Sequence, residues 1–451
     1  MVAHEDARRR LVAQYDAIPA GAPVRLAKRT SNLFRPRDAT TAPGLDVAAF
    51  DQVLAVDAAA RTADVQAMTT YEHLVDATLA HGLMPTVVPQ LKTITLGGAV
   101  TGLGIESSSF RAGLPHESVR EIEVLTGDGQ VVTARPEGEH ADLFRAFPNS
   151  YGTLGYALRL TIDLEPVHPF VRLRHVPFRD LGALTEAVAQ IVRDRAHDGE
   201  PVDFLDGTVF TADEAYLSLG SWADEAPYTS DYTGMHVYYR SIQRRRVDYL
   251  TVRDYLWRWD TDWFWCSRAF GAQNPRIRRV WPKRWLRSDV YWKLIRLENR
   301  FHVAARLDAR KGLPPRERVV QDVEIPLDRT ADFLRWFLRE VPIEPIWLCP
   351  LRLRSDRAWS LYPLRPGEPY VNVGFWSSVP ADPAGGPGAT NRRIEHEVTA
   401  LGGHKSLYSE SFYDEEEFER LYGGAEYARL KERWDPGGRL PDLYAKAVRG
   451  A

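Results

Sequence analysis

The chain is poor in residues that cross-link or ligate metals. Two cysteines, Cys266 and Cys349, occur in 451 residues, which excludes a disulfide framework and a cysteine-ligated zinc site. The 12 histidines show no metal-ligand spacing such as HExxH, so no metal centre is expected. No run approaches the roughly 20 continuous apolar residues that span a bilayer. The first ten residues, MVAHEDARRR, are charged where a secretory leader would be apolar; the expected location is the cytoplasm. Lysine is scarce, 8 against 50 arginines, a bias of GC-rich bacterial coding that says nothing about chemistry. A dominant charge sign is also missing. The formal net charge of −3 excludes nucleic-acid binding driven by overall charge.

What is present is enough apolar material for a full core, 44% hydrophobic and 11% aromatic, over a length that suggests two or three domains. Residues 52–56 (QVLAV) and 62–67 (TADVQA) read as a hairpin. Residues 71–81 read as a helix stopped at Gly82, and 122–125 with 130–134 as a second hairpin around TGDG. Residues 140–147 read as helix and 156–164 (YALRLTIDL) as strand. Beyond Pro166, strands are expected at 171–175, 202–210, 236–239, 319–325, 346–353 and 370–376. Helices are expected at 180–196 and 328–340, a loop at 380–389 and helical material at 414–446. The mixture predicts an α+β protein. Its expected parts are an N-terminal domain over 1–167, a second domain with an antiparallel sheet over 168–412, and a C-terminal segment, 413–451.

Residues 95–109, TLGGAVTGLGIESSS, hold four glycines and five hydroxyl residues. Such a loop lets backbone approach a ligand and aim N–H donors at a pyrophosphate; equally it is an ordinary structural turn. It is neither a Walker loop nor a Rossmann fingerprint. Its neighbours form a linked series: an apolar run ending at Pro89, T-x-G-G, G-x-G-I, the EVLTGDGQ hairpin, and DLFRAFPNSYGTLG leading into a strand. This order resembles the PCMH-type FAD-binding domain of the vanillyl-alcohol-oxidase superfamily, over about residues 20–167. Five segments, GIESSS (104–109), SYGTLG (150–155), VQDVEIP (320–326), IWLCP (346–350) and LYSESFY (407–413), resemble the 24-dehydrocholesterol reductase (Diminuto) branch. Within that branch the chain is similar to actinobacterial enzymes that reduce a 10-methylene fatty acyl chain to its 10-methyl form, on the route to tuberculostearic acid.

The resemblance implies a two-lobed FAD-binding domain facing a substrate, or cap, domain. It also implies NADPH as electron donor, a long-chain lipid alkene as substrate, and a methyltransferase as cooperating enzyme. It assigns Thr95, Leu96, Gly97, Gly98, Ala99, Val100, Thr101, Gly102, Leu103, Gly104, Ile105, Glu106 and Ser107 to the FAD pyrophosphate and flavin edge, and Gly152 and Gly155 to the adenine side. The early phosphate loop falls on Lys28, Arg29, Thr30 and Ser31, where the family's glycines are missing and basic and hydroxyl side chains stand in. Neither a histidine there nor a cysteine near the second loop is present, so the expected FAD is non-covalent. Gln321 and Asp322 would start a strand facing the flavin. Lys405 falls four positions before the lysine of sugar-oxidising relatives, and Ser409 takes the matching place. Tyr408 and Glu410 would alternate with Ser409 along a strand.

An isolated alkene is no electrophile, so its reduction needs an acid to protonate one carbon before hydride reaches the other. The candidates, in order, are Glu410, Asp322, Tyr408 and Glu106. Gln321 is the other catalytic candidate, as a polar neighbour. Cys349 reads as a packed small hydrophobe. A Δ24-sterol reductase, a flavin oxidase or dehydrogenase of an alcohol, and a non-catalytic lipid-binding flavin-fold scaffold are the competing expectations.

Between 241 and 318, 20 Lys/Arg face 8 Asp/Glu, and seven of the 13 tryptophans fall there. Two amphipathic helices are expected around residues 271–282. Such sequence suits the headgroup zone of an anionic membrane, and suits equally a cap-domain core with arginine stacked on tryptophan. Single-stranded nucleic-acid stacking lacks a matching fold.

Overall fold

A computed structural model describes residues 2–28, 34, 35, 44–301, 306, 310 and 312–450. The protein is α+β, built on two antiparallel sheets. The N-terminal sheet runs in the order Val53–Asp57, Thr62–Gln66, Tyr156–Pro166, Val119–Leu125, Val131–Ala134, with Leu83–Pro85 also on Tyr156–Pro166. Its central strand alternates along YALRLTIDL, burying Tyr156, Leu158, Leu160, Ile162 and Leu164, the period-two pattern of a strand with one face in a core. The helix Tyr71–Leu79 starts where the Thr70 side chain accepts from the His73 amide, an N-cap of ordinary kind. Gly82 follows at φ 67°.

The second sheet has eight strands, ordered Val247–Thr251, Phe170–Phe178, Glu214–Ala223, Phe204–Thr211, Ile346–Arg352, Pro369–Pro380, Arg316–Pro326 and His404–Lys405. Helices Leu181–Asp194, Thr330–Glu340 and Ala389–Ala400 cover one face, burying Leu184, Val188, Phe333, Phe337 and Ile394 against Val319, Val323 and Phe375. The opposite face looks toward the N-terminal domain. There the Leu205 amide donates to the Ser107 carbonyl at 2.7 Å, and Trp347, Cys349 and Leu351 share a core with Leu114, Trp359 and Tyr362.

Two expectations fail. Residues 236–239 are not a strand; Tyr238–Ile242 is a short helix whose two tyrosines are buried. The first half of the basic segment is not an amphipathic helix. Trp257, Trp259, Trp263, Phe264 and Trp265 are all buried in turns, with Trp263 and Phe264 at φ 45° and 57°. No single helical stripe can take aromatic residues at those positions inside together, so the backbone coils instead. A helix, Pro275–Val280, instead fills the expected break, capped by the Asn274 side chain with proline at its first position. Ser288–Phe301 is helical.

The C-terminal segment returns to the N-terminal domain. Lys431 donates to the carbonyls of Thr153 and Leu440, both at 2.8 Å, and pairs with Asp435 at 2.7 Å. The Gly127 amide donates to the Trp434 carbonyl and the Val24 amide to that of Arg439, both at 2.8 Å.

Candidate active site

The glycine-rich stretch is less open than its composition suggests. Thr95 caps a helix, Leu96–Thr101, by accepting from the Gly98 amide at 3.2 Å. The Leu96 and Gly97 amides donate to the carbonyls of Thr69 and Ala67. Gly97 is glycine for packing: a Cβ there would lie 2.7 Å from Ala67 Cβ. Leu96, Ala99 and Val100 are core residues, and Thr101 accepts Tyr151's amide at its carbonyl. The helix therefore consumes the first donors of the motif. Past Gly102 the helix has ended, and the amides of Leu103, Gly104 and Ile105 have no protein acceptor among the described residues. Gly104 is hemmed in by Pro89 and Pro115, at 2.9 and 2.8 Å from a built Cβ. The turn 149–152 lies against this stretch, with Asn149, Tyr151 and Gly152 all at positive φ and the Tyr151 ring 3.2 Å from a Cβ at Gly102. Gly155, at φ 142°, is required by the strand beside it, since a Cβ would meet the Leu125 carbonyl at 2.7 Å.

Opposite, the second sheet presents carboxylates. Strand alternation puts Asp322 and Glu324 on the site-facing side of Arg316–Pro326, where Glu324 is fully buried and Asp322 half-buried. The Asn372 amide donates to Asp322 Oδ1 at 2.9 Å, and Ser406 Oγ to Glu324 Oε1 at 2.9 Å. Gly374, paired with Asp322, leaves room for it; a Cβ would stand 2.5 Å from Asp322 Oδ1. Tyr408 lies against Asp322, and its hydroxyl accepts from Trp376 Nε1 at 2.9 Å. Burial pushes Asp322 up to about 6, against the pull of the Asn372 and Tyr408 hydrogen-bonding groups. Burial also holds Glu324 well above the usual carboxylate range, and Tyr408 well above the usual phenol range. Phe264 stacks on Trp376 with centroids 4.4 Å apart, so an aromatic wall adjoins the acid.

The remaining candidates separate. Gln321 has the opposite strand parity; its amide donates to Asn391 Oδ1 at 2.7 Å on the helix-covered face, so it does not reach the site. The segment 406–411 is no strand, apart from a single bridge of Ser409 to Phe34, and the alternation expected of Tyr408, Ser409 and Glu410 does not apply. Glu410 turns toward Arg318 and Lys405 and is only partly buried. Lys405 is buried on the far face, 3.0 Å from Glu395. Glu106 is tied up: Arg258 reaches Glu106 at 3.2 Å and Asp206 at 2.7 Å, and Trp259 Nε1 donates to Asp206 at 3.0 Å. Lys28 is exposed; Arg29, Thr30 and Ser31 lie outside the described residues. Beyond them, Phe34 and Arg35 reach the site, the Phe34 amide donating to the Tyr408 carbonyl at 2.9 Å and Arg35 to that of Leu407 at 2.7 Å.

Sequence reasoning missed Glu324, Asn372, Trp376, Tyr151 and Arg258. Glu324 carried a signal, its two-residue spacing from Asp322 in a strand. The others come from distant segments.

Residues 10–135 match the family model described as an FAD binding domain. With that match in the N-terminal domain and the likenesses that follow, the chain is an FAD-dependent oxidoreductase. Over 413 residues it is 27% identical to the Delta(24)-sterol reductase of Homo sapiens, covering 88% of this chain and 76% of that protein. It is 26% identical to that of Arabidopsis thaliana over 442 residues, 90% and 76% of the two chains. A shorter likeness, 35% over 123 residues, relates 27% of the chain to 26% of the decaprenylphosphoryl-beta-D-ribose oxidase of Mycolicibacterium smegmatis.

The residues present fit FAD. The three amides at 103–105 are donors without protein acceptors, as phosphate oxygens require. Two buried polar atoms without a protein partner among the described residues, Asn372 Oδ1 and Ser409 Oγ, belong to residues beside Asp322 and Tyr408. Among the described residues no group of three or more His, Cys, Asp or Glu could hold a metal, and no helix is long and apolar enough to cross a membrane.

Proposed function

We propose that this oxidoreductase reduces an isolated carbon–carbon double bond in a long-chain lipid, a 10-methylene fatty acyl chain in the first instance, with electrons from NADPH. The observation that carries the reading is Asp322, a half-buried carboxyl pushed up to about 6 by desolvation, beside Tyr408 and an aromatic wall. The names of the long-matching relatives support reduction as the direction of the chemistry.

The 103–105 amides and the turn at 149–152 would hold FAD, which would supply the hydride. The protein's task is the proton. Protonating the terminal CH2 of a 1,1-disubstituted alkene leaves positive charge on the tertiary carbon, the position hydride then fills. Asp322 is the donor in this scheme, because Tyr408, held far above its ordinary range, is the poorer acid. Tyr408 and Asn372 orient the carboxyl, and Trp376 orients Tyr408. The aromatic wall keeps water from the cationic carbon.

The sterol reductase names favour a second reading, a Δ24-sterol side chain in the same crevice. One assay separates them. The FAD-loaded protein, reduced anaerobically with NADPH, is offered a 10-methylene acyl phospholipid or a Δ24-sterol, and products are followed by mass spectrometry. A gain of two mass units in the acyl lipid supports the first reading. The same gain in the sterol alone supports the second. Oxidation of an alcohol with peroxide release, and neither alkene reduced, refutes both. A methyltransferase as cooperating enzyme follows from the first reading: cells lacking this gene would accumulate the methylene lipid that such an enzyme makes.

A further inference from the structure

The structure divides the basic, tryptophan-rich segment. Its first half is core. From Gly271 onward the chain still buries Ala272, Leu286, Tyr291 and Trp292 but exposes other large apolar side chains: Ile277 is 40% exposed, Val280 79%, Trp285 48% and Leu297 56%. Single exposed hydrophobics are ordinary; four within about twenty residues, among cations, are not. Arg276, Arg279 and Arg284 are exposed and have no carboxylate partner among the described residues. Arg278, between them, is buried and neutralised by Asp262 at 2.7 Å, Lys283 pairs with Asp231 at 3.6 Å and Arg287 with Glu72 at 2.8 Å, so the fold leaves Arg276, Arg279 and Arg284 as cations without counter-charge.

A second basic feature adjoins the first. Arg240, Arg244 and Arg268 line a hollow of about 370 Å³ floored by Tyr239 and Phe210. It lies beside the apolar residues, for Tyr239 donates to Gln273 at 2.9 Å and the Ile277 side chain touches Gly271. Glu344 lines the same hollow, its carboxyl raised by burial and by Asp213.

We propose that this face docks on an anionic lipid bilayer, with Val280, Trp285 and Ile277 entering the headgroup boundary and the Arg240–Arg244–Arg268 hollow receiving lipid phosphate. Protruding aliphatic and indole groups ringed by unneutralised arginine are the pattern an interfacial surface requires. An acidic protein would satisfy the arginines and leave Val280 without an apolar partner. The inference concerns binding and stands whether or not the proposed substrate is correct.

The test is co-sedimentation of the full FAD-loaded chain with vesicles of phosphatidylglycerol and phosphatidylcholine in equal parts, or of phosphatidylcholine alone. Binding to the anionic vesicles at least about 10-fold tighter, weakening as salt rises, is expected. Val280→Asp with Trp285→Ser, and separately Arg244→Glu with Arg268→Glu, should each lose most of that binding. Flavin content and melting temperature should remain those of the parent. Arg193→Glu, on a surface helix elsewhere, should bind like the parent. Equal sedimentation with neutral vesicles, no sedimentation with either, or both double variants binding unchanged overturns the proposal. Should one double variant lose its flavin, Arg279→Glu, at an exposed position, decides in its place.

Discussion

Asp322 shows how much one residue's surroundings decide. In solution it would be an ordinary aspartate. Here strand parity turns it into the crevice, Gly374 makes room for it, and burial favours its protonated form. If the protonated carboxyl is the working form, the reductive rate falls as pH rises through about 6, and Asp322→Asn loses that limb together with about 10²–10⁴ in kcat while keeping its flavin. Glu410→Gln should keep both rate and profile. Stability carries the same sign. A carboxyl whose folded value lies above its unfolded one stabilises the fold fully below the ordinary aspartate range and loses that contribution as pH rises through about 6. The melting temperature of Asp322→Asn relative to the parent should therefore be more favourable at pH 8 than at pH 5, by circular dichroism. Half of this was legible: VQDVEIP marks a strand, and period two places Asp322 with Glu324 and against Gln321. Which face met the site was not, because from Val323 to Pro326 the strand is buried on both faces.

At the scale of elements, the glycine-rich segment is two things, a capped helix and an extended stretch. Its glycines serve packing as much as ligand approach. Gly97→Ala drives a methyl into Ala67 and should cost about 1–3 kcal/mol by urea unfolding, with flavin loss following from the displaced helix. The Glu106–Arg258–Asp206 cluster joins that segment to the aromatic coil. All three are buried, two carboxylates share one guanidinium, and burial raises Glu106. Arg258→Met strands both carboxylates and should destabilise by about 3–5 kcal/mol in the same measurement, whereas replacing the whole cluster with apolar residues should cost less. The motif GIESSS marked Glu106 by resemblance; its partner lies 152 residues away, beyond any local pattern.

For the whole molecule, neither sheet makes the crevice alone. One side comes from residues 103–105 and 149–152, the other from strands beyond residue 316, and the C-terminal segment fastens the N-terminal lobe through Lys431, Trp434 and Arg439. Ending the chain at residue 422 removes Leu430, Trp434 and Leu440 from the core. The flavin-to-protein absorbance ratio after gel filtration should fall, although every crevice residue named above is still present.

Local chemistry was readable from the order of amino acids. Periodicity marked most strands and helices, and the glycine and hydroxyl content of residues 95–109 marked a stretch able to meet an anion, because these depend on neighbours in the chain. The tertiary structure alone decided that Asp322 lies against Tyr408 while Glu410 lies near Arg318 and Lys405, and that Trp259 is core while Trp285 meets solvent. Those outcomes depend on which distant surfaces compete to cover each side chain, and burial across a fold is a property no single segment carries.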